Sequence, residues 1–301
     1  MKTSGNLKYH LMALFTVSVW GTTFVSTKVL LTYGLSPADI MFYRFFIAYI
    51  LIWFISPLKL FADNIKDELL MVGAGIGGGS MYFLTENMAL GITLASNVSL
   101  IICTAPLFAS IFLHFFGRGE SFGKRLLLGS LVALTGVALV VFNGAVILEI
   151  NPLGDFLTLT AALSWATYTL IIRTLGGRYD TKFITRKVFF YGLVTLSPMF
   201  IIHPLNFDPS VMVKPVVWSN ILFLGVIASM LCFIIWNIAL KNLGGIRTSN
   251  YIYLTPIVTL IASSLIINEP VTTYAVMGAV LILLGVYMAE KPLPGILRKK
   301  R

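Results

Sequence analysis

The residues best suited to chemistry are three ionisable side chains that lie inside long apolar stretches: Lys28, Arg44 and Glu86. An ionised group is costly in hydrocarbon, so a charge inside such a stretch usually faces the protein interior and marks a functional site. At 1.5 Å per residue, Lys28, Glu86 and Arg44 lie ~5, ~6 and ~9 Å from the same membrane face. This shared depth predicts an ion pair or triad that forms an outer gate or a seat for a zwitterionic ligand. The alternative is that the two cations only extend to the interface.

A mixed aromatic and polar pocket is predicted around these charges. Glu86 is the best candidate for selecting an amine or carrying a proton, because it is the only carboxylate well inside a predicted helix. Small-molecule pockets are mostly apolar, with a few placed polar groups. The candidate binding residues are Trp20, Thr23, Tyr82, Glu86, Asn87, Asn97, Trp165, Tyr168, Trp236, Asn237, Asn250 and Tyr253. Taken singly, each aromatic residue is better explained by helix packing or interfacial anchoring.

The elements that position these residues are predicted to be membrane-spanning helices. The chain has 301 residues, of which 57% are hydrophobic and 11% charged, a composition foreign to soluble domains. Apolar runs of about 20 residues, long enough to cross the hydrocarbon core as a helix, recur along the chain. Ten runs are predicted, at 10–31, 38–56, 68–90, 95–116, 124–146, 153–175, 183–203, 217–241, 245–267 and 272–290. The sequence thus predicts an all-α integral membrane protein.

The distribution of basic residues predicts the orientation of these helices. The tails and the even-numbered loops hold 17 of the 22 Lys and Arg residues, whereas the odd-numbered loops hold only Lys214. Four more, Lys28, Arg44, Arg186 and Lys187, fall inside predicted helices. Because positive residues stay on the cytoplasmic side, both termini are expected in the cytoplasm. The net charge of +10 is explained in the same way, and nucleic-acid binding is disfavoured.

The two halves of the chain repeat one another. Glu120, Gly129 and Gly136 have the spacing of Glu269, Gly278 and Gly285, at a shift of 149 residues. Asn87 and Pro106 match Asn237 and Pro256 at a shift of 150, and Trp20 matches Trp165 at a shift of 145. An odd number of helices per half inverts the second copy in the membrane, as in many secondary transporters. We therefore predict two inverted five-helix repeats, 1–147 and 148–301.

Proline and glycine positions in the repeats suggest hinges and contact surfaces. Pro106 and Pro256 are predicted to lie in the middle of helices, where proline removes a backbone hydrogen bond and bends the helix. These bends would act either as gating hinges or as static shape. The glycines that recur every seven residues in the fifth and tenth helices are predicted to be close-packing surfaces. Glu120 and Glu269 are better explained as partners of helix N-termini than as transport groups.

The repeated motifs resemble the EamA family of the drug/metabolite transporter superfamily. The resemblance rests on Gly119-Glu120 and Asn268-Glu269, each followed by Gly at +9 and +16, on Trp20-Gly21, on Gly154-Asp155 with Ser164-Trp165-Ala166, and on Pro106 and Pro256. It covers nearly the whole chain. It implies a ten-helix exporter or exchanger of small metabolites such as amino acids. It also implies a central cavity lined mainly by the first, third, fourth, sixth, eighth and ninth helices, which carry the candidate residues above.

The predicted function is secondary transport, with export expected, by alternating access around the central cavity. The expected setting is the inner (cytoplasmic) membrane, with small-molecule substrate and lipids as partners, no nucleic acid, no cofactor and no metal; a monomer is compatible with the sequence. One alternative is a flippase for lipids or carrier-linked sugars. A second is a membrane-embedded enzyme or a sensor subunit. An enzyme is disfavoured because His10, His114 and His203 have no carboxylate at ligand spacing.

Overall fold

The structure, a computed structural model, describes residues 4–92, 98, 101–117, 123–142, 151–202, 204–205, 208–266 and 272–290. The candidate residue Asn97, the signature residues Glu120 and Glu269, and the predicted repeat boundary at 147–148 lie outside these ranges. The side chain of Lys28 is also outside the described part, although its backbone belongs to a helix.

The described residues form helices, short turns and one isolated bridge between Gly176 and Tyr179, and none of them forms a strand. The α-helices are α1 (Ser4–Thr32), α2 (Pro37–Ile52), α3 (Ile65–Gly75), α4 (Met81–Ile92), α5 (Ala105–Phe116), α6 (Lys124–Phe142), α7 (Pro152–Leu175), α8 (Thr181–Leu196), α9 (Met199–Ile202), α10 (Pro209–Met212), α11 (Pro215–Leu222), α12 (Cys232–Leu243), α13 (Gly245–Asn250), α14 (Thr255–Ile266) and α15 (Thr273–Glu290).

Among the described residues, three continuous helical rods have both the length and the apolar composition needed to cross a membrane. They are Asn6–Thr32, Pro152–Leu175 and Pro215–Leu243. The third rod joins α11 to α12 through a π-helical segment, Phe223–Leu231. A second composite rod joins α3 to α4 through the π-helical segment Ile76–Ser80.

The helices run between two ends of the molecule. At one end, which we call the Asn151 end, the Asn151 side chain donates a hydrogen bond of 2.7 Å to the Ile92 carbonyl, and Lys214 lies over the ring of Tyr33. These contacts gather the C-termini of α1 and α4 with the N-termini of α7 and α11. Lys214, the basic residue of the predicted odd-numbered connections, therefore lies at the Asn151 end.

The opposite end, which we call the His10 end, is defined by two other contacts. Here His10 Nδ1 lies 2.6 Å from the Tyr251 hydroxyl, which brings the start of α1 beside the start of the α13–α14 rod. Arg173, near the end of α7, donates a hydrogen bond of 3.1 Å to the Lys241 carbonyl, near the end of α12.

A buried polar network fixes the connection between α2 and α3 at the His10 end. Arg186 and Lys187 of α8 donate hydrogen bonds to backbone carbonyls in this connection, Arg186 to Pro57 and Lys187 to Leu60. Lys187 also forms an ion pair with Glu68. Arg186 and Lys187 both lie inside a helix, as predicted. Their charged groups nevertheless point to loop carbonyls and to a carboxylate, not into the bundle.

Asp67, in the first turn of α3, joins this network to the α7–α8 connection. Its carboxylate accepts hydrogen bonds from Tyr179 (2.8 Å), Asn64 (3.0 Å) and Arg178. Burial alone would raise the pKa of Asp67, but the hydrogen bonds from Tyr179 and Asn64 and the charge of Arg178 outweigh burial and hold that pKa below its ordinary value. The same pairing, together with burial, raises the pKa of Tyr179.

The two π-helical segments occupy equivalent positions in the repeat, because a shift of 150 residues places Ile76–Ser80 within Phe223–Leu231. A glycine run forms the first segment, and Gly79 leaves helical geometry at φ −126° and ψ −106°. Close packing explains the run, since a methyl group on Gly78 would lie 2.4 Å from the Tyr168 ring of α7. Such π-helical turns are rare and are frequent at functional sites.

The two signature prolines lie at interruptions of helical hydrogen bonding: Pro256 is in the middle of the helical stretch 245–266, as predicted, whereas Pro106 follows a turn. Pro106 is the second residue of α5, directly after an irregular turn, and Pro256 is the second residue of α14, directly after a 3₁₀ turn at Tyr251–Leu254. Proline is tolerated in a first helical turn because the N–H it lacks would have no helical partner there. The breaks therefore precede the prolines. Their role as hinges stays a prediction.

The predicted glycine contact surface is confirmed, because α6 and α15 pack against each other in antiparallel orientation. Gly136 meets Gly278 and Gly129 meets Gly285, so that equivalent residues exchange places across the interface. A methyl group added to Gly136 would lie 2.6 Å from the Gly278 carbonyl oxygen, and one on Gly278 would lie 2.6 Å from the Gly136 oxygen. Glycine is required here because the two backbones are in direct contact.

Candidate functional site

A cavity lies in the half of the bundle nearer the Asn151 end. Its volume, taken as the region that the centre of a water molecule can reach, is about 70 Å³. At roughly 15 Å³ per water, it has room for about five water molecules. Helices α1, α2, α4 and α7 contribute to its wall. The predicted site residues that line it are Trp20, Thr23, Arg44, Tyr82, Glu86, Asn87 and Trp165.

Glu86 supplies the negative charge of the cavity. Its side chain is 6% exposed and lines the wall from the middle of α4. One carboxylate oxygen, Oε1, accepts a hydrogen bond of 3.0 Å from the hydroxyl of Tyr82, one helical turn earlier. No hydrogen bond to Oε2 is present among the described residues, so this oxygen can accept one from a ligand.

Arg44 supplies the positive charge, but it does not form the predicted ion pair with Glu86. Its Nε donates a hydrogen bond of 2.9 Å to Ser229 of the second π-helical segment. Its guanidinium lies 4.2 Å from the centre of the Phe83 ring. Within the described residues no ion pair joins Arg44 to Glu86. The direct Arg44–Glu86 contact predicted from helix depth is wrong, because α2 packs on the second π-helical segment and directs Arg44 to Ser229.

Aromatic rings form the floor of the cavity near the centre of the bundle. Trp20 and Trp165 meet edge to face with ring centres 5.2 Å apart, and Trp20 lies 5.0 Å from Trp236. Tyr82 packs 5.1 Å from Trp165. Because Trp20 and Trp165 are equivalent residues of the two repeats, their contact lies close to the axis that relates the halves. A ligand in the cavity would therefore rest on residues from both repeats.

Two other predicted site residues lie outside the cavity, in a closed polar contact on the His10 side. The Tyr168 hydroxyl donates a hydrogen bond of 2.7 Å to Asn237 Oδ1, and Asn237 Nδ2 donates one of 3.1 Å to Thr185. All three side chains are buried. Asn237 is the repeat equivalent of Asn87, which lines the cavity. One member of the pair is thus accessible from the cavity, while the other is sealed.

Trp236, Asn250 and Tyr253 are fully buried, and none of them lines the cavity. Neither the indole nitrogen of Trp236 nor the amide atoms of Asn250 has a hydrogen-bond partner among the described residues. Buried polar groups are normally hydrogen-bonded, so unpartnered ones need an explanation. Asn97 and the Lys28 side chain, the remaining candidates, lie outside the described part of the protein.

The cavity wall contains further residues that the sequence analysis did not select. They are Phe24, Thr27, Phe83, Leu90, Ile102, Cys103, Ala105, Phe233, Ile252 and Thr255. Helical spacing could have found two of them, since Thr27 lies one turn after Thr23 and Leu90 one turn after Glu86. Most are apolar and carry no chemical signal. Among the described residues, no group of His, Cys, Asp or Glu side chains is arranged to hold a metal ion.

A sequence profile of the EamA-like transporter family matches residues 7–142 and 152–290. The chain belongs to this family. The resemblance found in the motifs is therefore confirmed, and the profile matches the chain twice, once in each half. This protein is a multi-pass membrane transporter of the drug/metabolite transporter group and is not an enzyme.

Several known proteins are similar to this transporter over nearly their full length. An uncharacterized transporter of Archaeoglobus fulgidus is 26% identical over 291 residues, which cover 94% of this chain and 97% of that protein. A probable amino-acid metabolite efflux pump of Escherichia coli (strain K12) is 25% identical, with 93% and 94% covered. One solved crystal structure superimposes with a TM-score of 0.76 at 19% identity, covering 94% and 96%, and shows the fold alone.

Proposed function

We propose that this transporter exports small metabolites that carry an amine, such as amino acids, by alternating access around the cavity. The observation that carries the proposal is the Glu86 carboxylate, which lines a largely apolar cavity and keeps an oxygen available. A carboxylate in a site with little water attracts an ammonium group more strongly than it would in solution. The amino-acid class and the direction of export are suggested by the Escherichia coli relative, a probable amino-acid metabolite efflux pump.

In the proposed topology the chain crosses the inner membrane ten times, as two inverted repeats, 1–147 and 148–301. Both termini lie in the cytoplasm. The sorting of connections supports this topology, since Arg173 and Lys241 meet at the His10 end and Lys214 lies at the Asn151 end. Basic residues face the cytoplasm, so the Asn151 end would be the outer one. The described cavity then represents the state in which the site faces outward.

The symmetry of the bundle supports alternating access. Asn87 lines the outer cavity, whereas its equivalent Asn237 is hydrogen-bonded to Tyr168 and Thr185 away from the cavity. Exchanging the conformations of the two repeats would open the Asn237 side and seal the Asn87 side. The breaks before Pro106 and Pro256 lie at equivalent positions, which suits them to act as the hinges. One copy of the chain holds the whole cavity, so a monomer would suffice.

Counterflow in proteoliposomes tests this function. Vesicles preloaded with an unlabelled amino acid, amine, nucleobase or sugar are diluted into the same labelled compound, and accumulation is measured. We expect accumulation with amine-bearing compounds, and loss of it when Glu86→Gln replaces the wild type. Accumulation of nucleobases or sugars alone would contradict the proposed substrate class. Movement of a labelled phospholipid between leaflets, without counterflow of any soluble compound, would favour the flippase alternative.

A further inference from the structure

The terminal nitrogens of Arg44 form an unused anion-binding fork inside the cavity. The Arg44 side chain is 4% exposed and lines the wall. Only its Nε is engaged, by Ser229, and among the described residues neither terminal nitrogen has a hydrogen-bond acceptor or an ion-pair partner. A guanidinium presents its donors in a planar arrangement that fits a carboxylate through two parallel hydrogen bonds.

The position of this fork is fixed by its surroundings. Ser229 holds Nε from the second π-helical segment, and the Phe83 ring covers the guanidinium at 4.2 Å. A long cation held in this way has already lost its conformational freedom, so ligand binding need not pay that cost. A buried charge without a direct ion pair is unfavourable. Among the described residues neither Arg44 nor Glu86 forms one, although their opposite charges attract each other. A ligand with both charges would satisfy both residues at once.

We propose that Arg44 binds the carboxylate of the ligand while Glu86 binds its amine, so that the substrate class is the zwitterionic α-amino acids. This inference rests on the proposed function and names the substrate class of that same site. Much of the rest of the wall is apolar, including Leu90, Ile102 and Ile252, and suits an apolar side chain. Selection of an amino acid requires both charges. A simple amine lacks the carboxylate that Arg44 binds, and a fatty acid lacks the amine that Glu86 binds.

The test compares the proteinogenic L-amino acids with their α-amides, which keep the amine and side chain but lose the carboxylate. Binding is measured by the melting temperature of the purified full-length protein. We expect at least one amino acid to bind, and its amide to bind at least tenfold more weakly. In Arg44→Gln the acid and the amide should bind equally. Arg44→Lys, which keeps the charge but not the fork, should retain part of the preference.

Each outcome separates this inference from the proposed function. If amides bind wild type as tightly as the acids do, the amine-based function stands and the role of Arg44 is wrong. If a preference for the acid survives in Arg44→Gln, another residue binds the carboxylate. If neither acids nor amides bind, both proposals fail. Should Arg44→Gln not fold, Ser229→Ala leaves the guanidinium in place but unanchored and should weaken binding of the acid more than of the amide.

A second inference comes from a hydrogen bond that only one of the two repeats makes. Trp20 Nε1 donates a hydrogen bond of 2.9 Å to the Ala228 carbonyl in the second π-helical segment. The repeat equivalents of these residues are Trp165 and Gly78, the latter in the first π-helical segment. The indole nitrogen of Trp165 is buried and has no partner among the described residues. The same donor is thus engaged in one half and unengaged in the other.

We infer that these two tryptophans form a conformational switch, in which Trp20 bonds to Ala228 in the outward state and Trp165 bonds to Gly78 in the inward state. Both acceptors lie in π-helical segments, and a carbonyl oxygen can accept a second hydrogen bond while serving its helix. Each bond then exists in one state only, which is the condition for a contact to bias an equilibrium. A single hydrogen bond changes the ratio of two states on the order of 2- to 10-fold.

Two single-cysteine reporters in nanodiscs test the switch in a Cys103→Ala, Cys232→Ala background. Thr27→Cys lines the outer cavity and reports the outward state. Leu240→Cys is the buried equivalent of the cavity residue Leu90 and reports inward opening. We expect Trp20→Phe to slow maleimide labelling at 27 and speed it at 240, Trp165→Phe to do the reverse, and the double variant to return towards the starting ratio.

The matched control is Trp218→Phe, because Trp218 is 48% exposed on α11 and should move neither reporter. If Trp20→Phe and Trp165→Phe shift both reporters in the same direction, the two rings act only by packing and the switch is wrong. Unchanged labelling in both variants would also overturn it.

Discussion

Replacing Glu86 by glutamine removes the charge of the cavity while keeping its shape. The amide oxygen of Glu86→Gln can still accept the hydrogen bond of the Tyr82 hydroxyl, which is 3.0 Å away in the wild type. The side chain is 6% exposed, so bulk water screens its charge little. A hydrogen bond to a charged group contributes about 1.5–3 kcal/mol. At 1.4 kcal/mol per factor of ten, the Kd of an amine-bearing ligand should rise about 10- to 150-fold.

Thermal stabilisation by ligand measures this change. At a concentration 100 times the wild-type Kd, a bound ligand stabilises the folded protein by about 2.7 kcal/mol. If the Kd of Glu86→Gln is 100-fold higher, the same concentration gives about 0.4 kcal/mol, and almost all of the shift in melting temperature disappears. The ligand used is whichever amino acid gives the largest shift with wild-type protein.

Tyr82→Phe is the matched control for this prediction. It keeps the charge of Glu86 and removes only the neighbouring hydroxyl, so its Kd should rise by about 2- to 10-fold, the effect of one ordinary hydrogen bond. Equal affinity of wild type and Glu86→Gln for every amine tested would refute the assigned role of Glu86. A larger loss in Tyr82→Phe than in Glu86→Gln would show that the hydroxyl, not the charge, contacts the ligand.

Three further predictions concern stability. Gly136→Ala should cost about 1–3 kcal/mol, since its methyl group would lie 2.6 Å from a backbone oxygen, whereas Gly91→Ala, with no atom within 4 Å, should not destabilise; chemical denaturation of both variants checks this. Because the folded pKa of Asp67 is lowered, its stabilisation is present above the unfolded pKa and is lost as the pH falls through the folded value. Asp67→Asn should therefore lower the melting temperature at pH 7 and flatten its acid dependence, while Asp63→Asn, whose side chain is 66% exposed, should change both little. Tyr168→Phe removes one buried hydrogen bond and should cost about 0.5–1.5 kcal/mol, and unchanged stability would show that the bond contributes nothing.

Residue type and spacing alone were enough for the class of protein, the family and the glycine surface. Apolar runs reflect the hydrocarbon that surrounds each helix, and the family motifs are local. The contact of Gly136 with Gly278 could also be predicted, because small residues on one face of a membrane helix serve mainly to let another helix approach. The depth of Glu86 followed from the rise of a helix, and the cavity does contain it.

The side chains that each charged residue contacts could not be predicted in the same way. Depth placed Arg44 near Glu86, but depth says nothing about the direction in which a side chain points around the helix axis. The π-helical segment Phe223–Leu231 changes the register of the third apolar rod and brings Ser229 to Arg44. Proline spacing suggested interrupted helices at Pro106 and Pro256, but only the structure shows that an irregular turn precedes the first and a 3₁₀ turn the second.

The sequence by itself determined that this chain spans a membrane, repeats itself and carries one carboxylate, Glu86, well inside a predicted helix, because composition, periodicity and charge are properties of the chain read in order. Only the tertiary structure decided which of two equivalent residues lines the cavity. Asn87 and Asn237 occupy the same place in their repeats, yet one lines the cavity and the other is sealed by Tyr168. The physical reason is that accessibility depends on how the two halves are packed against each other, and that packing differs between equivalent positions of a single conformation.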